Sequence, residues 1–198
     1  GVIVIQEVWG MNDDIRRICR QFADAGYAAL SPDLYHGQFT EELEEAFKIR
    51  TTMEMPRAVK DIDKAVEHLK SLPEVRGGPV GMIGFCMGGG LTLETAVRGG
   101  NNKAGACFYG GTNMDSAQLS KIKVPIFGAF GDHDHLITVD KVEALRDGLT
   151  KAGVQNEVHI YANAGHSFFN DVKTEWYKPA VAEQAWKDLL DFFRRTLR

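Results

Sequence analysis

The 198-residue chain is poor in cysteine, with three at wide spacings. An odd number spread this way does not suggest the disulfide framework that staples small secreted domains, and a reducing, cytoplasmic setting is the simplest expectation. No apolar run approaches the roughly 20 residues of a membrane span, so no membrane partner is expected. Positive charge is not in excess. Lys and Arg number 23 against 27 Asp and Glu, a formal net charge of −4, and no basic stripe is present to attract nucleic acid. No signal peptide is visible, and the first residues already read as strand interior, so the natural start is expected upstream. Repeats, linkers and low-complexity segments are also missing. Residues 1–198 are therefore expected to form one domain, monomeric or in a small homo-oligomer. What is present is ordinary for a globular chain, 44% hydrophobic and 25% charged, and long enough for a sizeable core.

Apolar periodicity predicts alternating strands and helices. Val2-Ile3-Val4-Ile5, Tyr27–Leu30, Val80–Ile83, Ala104–Tyr109, Pro125–Phe130 and Glu157–Tyr161 read as short strands. Helices are predicted over 12–25, with Asn12 or Asp13 as cap, and over 41–53, 56–72, 86–97, 139–151 and 179–196. This alternation implies a mostly parallel sheet covered by helices on both faces.

The sharpest chemical signal is Gly84-Phe85-Cys86-Met87-Gly88, a Gly-x-nucleophile-x-Gly pattern with cysteine in place of serine. It follows an apolar strand and opens a helix, as a nucleophile on a sharp turn requires. Glycines on either side let strand and helix approach closely. The helix N-terminus favours a thiolate, and the Met87 N–H is aimed where a substrate oxyanion would form. Cys19 and Cys107 fall in helix and strand core patterns and read as small apolar filler.

Two later loops supply partners. His166, in Ala164-Gly165-His166-Ser167-Phe168, lies between the last strand and the last helix and is the candidate base. Asp132 and Asp134, in Gly131-Asp132-His133-Asp134-His135, compete as the carboxylate that orients it. The order nucleophile, acid, histidine is that of the α/β-hydrolase fold. His133 and His135 flank Asp134, but no second ligand cluster accompanies them, so no metal is expected and the chemistry needs no cofactor.

These segments resemble the dienelactone hydrolase family, the cysteine branch of the α/β-hydrolases. The likeness also takes in Gln6-Glu7-Val8-Trp9-Gly10, Gly26-Tyr27-Ala28-Ala29 and Pro32-Asp33-Leu34-Tyr35, nearly the whole chain. It implies an ester or lactone hydrolase acting through a thioester on Cys86, with His166 as base. It selects Asp134 as the acid, gives Glu7 a role in switching the thiol to thiolate, and makes Val8 the second oxyanion N–H donor beside Met87. Three departures accompany it. The family normally has about one more strand hairpin ahead of the opening segment, so either the chain is truncated or edge strands are lacking. The positions of the family's substrate-binding arginines match Leu43 and Asn170, neither of them basic, with Arg50 or Arg57 as possible substitutes. Trp9, Phe39, Phe168, Phe169 and Trp176 are expected to line an apolar pocket, which suits a neutral or aromatic ester. The rival expectation is a redox-sensing or small-molecule-binding protein that uses Cys86 as a reactive thiol.

Overall fold

The computed structural model describes residues 1–198. Six strands, β1 (Val2–Ile5), β2 (Ala29–Leu30), β3 (Gly81–Phe85), β4 (Ala104–Phe108), β5 (Ile126–Gly131) and β6 (Asn156–Tyr161), form one sheet. Its order is β2-β1-β3-β4-β5-β6, and every neighbouring pair is parallel. The helices are α1 (Asp13–Asp24), α2 (Leu43–Thr52), α3 (Met55–Ser71), α4 (Met87–Arg98), α5 (Ser116–Leu119), α6 (Val139–Lys151) and α7 (Pro179–Thr196).

Side-chain alternation along the strands builds two layers. Val2, Val4, Ile83, Phe85, Phe108 and Phe127 face α1 and α7, where Ile15, Phe22, Leu189 and Phe193 meet them. Ile3, Ile5 and Met82 point the other way, onto Ile62, Val66 and Leu69 of α3. Cys107, Ile126 and Phe130 pack under Leu93 of α4 and Val142, Leu145 and Leu149 of α6. Burial on both faces is why the strands read as continuous apolar runs.

Local chemistry sets the ends of the elements. The Asn12 side chain caps α1 by accepting from the Ile15 N–H. Pro56 sits in the first turn of α3, where its missing N–H costs nothing. Strand β2 is only two residues long, shorter than the Tyr27–Leu30 run predicts, and pairs with β1 on one side alone. Helix α5 was not expected, although Asp115 and Gln118 carry the capping-box pattern that the structure forms there. At the other edge, α7 is tied to β6 by Arg195 on Glu157 and by Tyr161 on Asp188. No helix is long and apolar enough to cross a membrane.

The chain leaves β1 outward to β2, then returns across it to β3. That reversal opens a crevice at the carboxyl ends of β1 and β3. Glu7 follows the first of these strands and Cys86 the second.

Candidate active site

Cys86 occupies the turn between β3 and α4 with φ 49 and ψ −112, a conformation that L residues rarely adopt. Its N–H donates to Phe108 O at 3.0 Å, which anchors the turn to β4. The flanking glycines are required by space. A Cβ on Gly84 would stand 2.0 Å from Gly88 O, and one on Gly88 would stand 2.4 Å from Ile5 O. Strand and helix touch through backbone here, so the strained cysteine is held from both sides. The side chain is half-buried.

His166 Nδ1 lies 2.8 Å from Asp134 Oδ2. Asp134 is fully buried, and its other oxygen accepts the N–H groups of Leu136 and Ile137 at 2.8 and 3.0 Å. Burial works against the charged carboxylate, but the bond to His166 and these two N–H groups outweigh it and hold Asp134 below its usual range. Asp132 is turned elsewhere and accepts from the Ala164 N–H at 3.3 Å. Burial also works against a charged His166. Its interactions with Asp134 and Cys86 override that and push the imidazole up to about 10. Nε2 is buried and makes no hydrogen bond in this resting arrangement. The ring leans on Tyr109, 5.2 Å between centroids.

Glu7 lies 1% exposed behind this group. Its Oε2 accepts from Asn170 Nδ2 at 2.7 Å and its Oε1 from Ser167 Oγ at 3.4 Å. A second buried carboxylate, Asp14 on α1, stands close enough to feel the charge of Glu7. Burial first, then that charge, push Asp14 up to about 7, and Arg17 only partly offsets them. Arg17 bonds Asp14, pairs with Asp171 at 2.8 Å and donates to Phe169 O at 3.2 Å. It thus pins the loop that carries Ser167 and Asn170. Sequence reasoning missed this pair. The available signal was an i, i+3 acid–base pair set beside the buried Ile15 and Ile18.

The N–H groups of Val8 and Met87 make no backbone hydrogen bond, Met87 because the first residues of a helix have no partner one turn back. Both therefore have a donor free at the crevice.

Several expected pocket residues lie elsewhere. Phe168 and Phe169 are 0% and 2% exposed and belong to the core with Phe85 and Phe108, because two large rings gain more by closing that layer than by facing solvent. They are not pocket walls. Trp9 is 3% exposed, stacked on Trp176 and covered by the Lys173 ammonium 4.2 Å from its ring centroid. Its faces are thus occupied by the protein itself. Phe39 is exposed and extends from a short bridge with Gly10. Arg50 is exposed on α2, near enough for its charge to act on the Tyr35 hydroxyl. His133 and His135 are exposed beside Asp134, and no three His, Cys, Asp or Glu side chains gather as metal ligands.

The chain is similar to known proteins in sequence and in fold. Protein usf of Aquifex pyrophilus is 32% identical over 204 residues, covering 100% of this chain and 88% of its own. The Escherichia coli protein named "Putative carboxymethylenebutenolidase" is 32% identical over 210 residues, covering 98% of this chain and 76% of its own. Among solved structures, a dienelactone hydrolase-like promiscuous phosphotriesterase from metagenomic libraries superposes with a TM-score of 0.85. It is 27% identical, over 100% of this chain and 87% of the other. The model of the dienelactone hydrolase family matches residues 1–197. With an all-parallel sheet, a strained cysteine elbow and an aspartate-bound histidine at one edge, the chain belongs to the dienelactone hydrolase family and is a hydrolase of the α/β-hydrolase fold.

Proposed function

We propose that the protein hydrolyses carboxylic esters or lactones, with Cys86 as nucleophile, His166 as base and acid, and Asp134 as the group that orients the imidazole. The observation that carries this reading is the 2.8 Å bond between His166 Nδ1 and Asp134 Oδ2. It orients the ring and, whenever the ring is neutral, fixes the tautomer that leaves Nε2 free on the same sheet edge as the elbow. Nε2 holds the proton of the thiol, as an imidazole pushed up to about 10 favours, and the thiolate attacks the carbonyl carbon. The Val8 and Met87 N–H groups stabilise the oxyanion, each such donor typically lowering the barrier by ~3 kcal/mol. The imidazolium returns the proton to the departing alkoxide, leaving a thioester. Water, deprotonated by His166, then attacks the thioester and restores the thiol.

Glu7 acts on the thiol from behind, and the bonds from Asn170 and Ser167 decide where its carboxylate points. A thiolate also attacks other activated electrophiles. Turnover of thioesters or phosphotriesters is therefore part of the proposal, supported by the phosphotriesterase among the structural relatives. Equal phosphotriesterase rates in wild type and Cys86→Ala would contradict that part. The proposed setting is cytoplasmic, in keeping with three free cysteines.

The test is a panel of p-nitrophenyl and naphthyl esters, given to wild type and Cys86→Ala before and after iodoacetamide. Turnover that both changes abolish supports a thiol hydrolase. A wild type without turnover, whose Cys86 is still alkylated rapidly, contradicts it and leaves a sensor or binding role.

A further inference from the structure

Six large apolar side chains face solvent: Phe39, Leu43, Phe47, Met55, Leu136 and Val172. All six lie in segments that follow the carboxyl ends of strands. Phe39, Leu43, Phe47 and Met55 belong to the connection from β2 into α3, Leu136 follows β5, and Val172 follows β6. The loops at the opposite edge of the sheet contribute none. Single exposed apolar residues are unremarkable, but their restriction to the edge that carries Cys86 and His166 calls for a cause.

Two groups flank the candidate nucleophile. On α2, Leu43 and Phe47 stand one turn apart, 46% and 52% exposed. Ala46, between them in sequence, packs onto Val8 and Trp9, so this helix lies against the segment that carries one oxyanion donor. The approach to α2 is fastened there too, with the Thr40 N–H on Trp9 O at 3.0 Å and Lys173 Nζ on Glu41 O at 2.7 Å. On the other flank, the Leu136 N–H is bonded to Asp134, while its side chain is 63% exposed. The backbones of both flanks are held firmly, yet about half or more of each of these apolar side chains faces water.

We infer that Leu43 and Phe47 on one side and Leu136 on the other form the acyl-group site, and that the substrate is an uncharged ester whose acyl part is an alkyl chain or aryl ring. This rests on the hydrolase reading above and adds the substrate class to it. The apolar rim loses its water only when such a group lies across it, so acyl length becomes a determinant of specificity. The first turn of α2 carries Glu44 and Glu45, which disfavours a carboxylate on the acyl group.

The test compares kcat/KM for p-nitrophenyl acetate, butyrate and octanoate. A methylene about half removed from water is worth about twofold, so octanoate is expected to exceed acetate by tenfold or more. The double variant Leu43→Ser/Phe47→Ser and the single variant Leu136→Ser are each expected to lower the octanoate-to-acetate ratio by about fivefold or more. Met55→Ser, on α3, is the control and keeps the wild-type ratio. All these positions are exposed, so the variants are expected to fold, and thermal unfolding verifies it. Turnover of acetate without a preference for longer chains would overturn the inference and leave the hydrolase reading standing. An unchanged ratio in the rim variants would overturn it as well. Self-association that these substitutions abolish, with the ratio unchanged, would overturn it in favour of a second copy of the chain as occupant. No turnover of any ester would overturn the hydrolase reading, and this inference with it.

Discussion

Asn170 holds Glu7 across 163 residues of chain, its Nδ2 donating to Oε2 at 2.7 Å. The amide cannot turn round to offer its oxygen instead, because Oδ1 already accepts the N–H groups of Val172 and Lys173 at 3.1 and 3.3 Å. A neutral donor therefore fixes a buried carboxylate at one of the two positions where the family resemblance leads one to expect an arginine. Asn170→Ala leaves Glu7 short of a donor and is expected to cost about 1–3 kcal/mol in urea unfolding. Asn170→Asp places two carboxylates together. It is expected to cost more at pH 8 than at pH 5, because a shared proton at the lower pH restores a donor.

His166 gives a pH prediction with a definite sign. Its folded value of about 10 lies above the ordinary 6.5. Its charge therefore contributes stability in full below about 6.5, and that contribution is lost as pH rises through about 10. Asp134 is lowered, so its contribution is present above about 3.9 and is lost as pH falls through its depressed folded value. Cys86 is among the groups that raise His166. In NMR titration, Cys86→Ala is expected to move the imidazole midpoint downward. An unmoved midpoint would show that the two side chains do not interact.

The two aspartates separate by mutation. Asp134→Asn keeps an acceptor for the Leu136 and Ile137 N–H groups, so the fold is expected to survive. It no longer fixes the tautomer, and kcat is expected to fall by about 10³–10⁴. Asp132→Asn keeps an oxygen for the Ala164 N–H and is expected to stay within a few-fold of wild type. Steady-state kinetics of the two variants on one ester is the check.

The elbow should tolerate no Cβ at Gly84. The contact there would be backbone on backbone, 2.0 Å from Gly88 O, and no side chain can swing away to relieve it. Gly84→Ala is expected to destabilise by about 3 kcal/mol or more, or to abolish soluble expression. Gly111→Ala, where a Cβ would meet nothing within 4 Å, is expected to be close to neutral. Urea unfolding of the pair measures the contrast.

What the sequence made legible follows from the range of each signal. Strands buried on both faces announce themselves as apolar runs, and α6 and α7 begin and end at the residues that periodicity predicts. The elbow is legible because one turn of chain carries both its glycines and its cysteine. Side-chain destinations were harder to read. Phe168 and Phe169 look like pocket walls beside a candidate histidine, yet they close the layer under α7. The Arg17 link to Asp171 joins residues far apart in sequence, and nothing local marks it. Of the exposed rim only Phe39 and Leu43 stand out in the sequence; Phe47, on an acidic helix, looks like the margin of a core-facing stripe, and only packing reveals that Ala46 and Ile49 take the buried face. In the sequence Asn170 stands out only for its lack of positive charge, because its grip on Glu7 depends on a fold that brings the two ends of the chain together.

The most direct test of the proposed chemistry is to trap the acyl group. Wild type mixed with p-nitrophenyl acetate and quenched in acid within milliseconds is digested and its peptides are weighed. One acetyl group is expected on the peptide containing Cys86, formed at the rate of the nitrophenol burst and absent from Cys86→Ala. Steady turnover with no acyl group ever found on Cys86, or an acyl group on another residue that persists in Cys86→Ala, would contradict it.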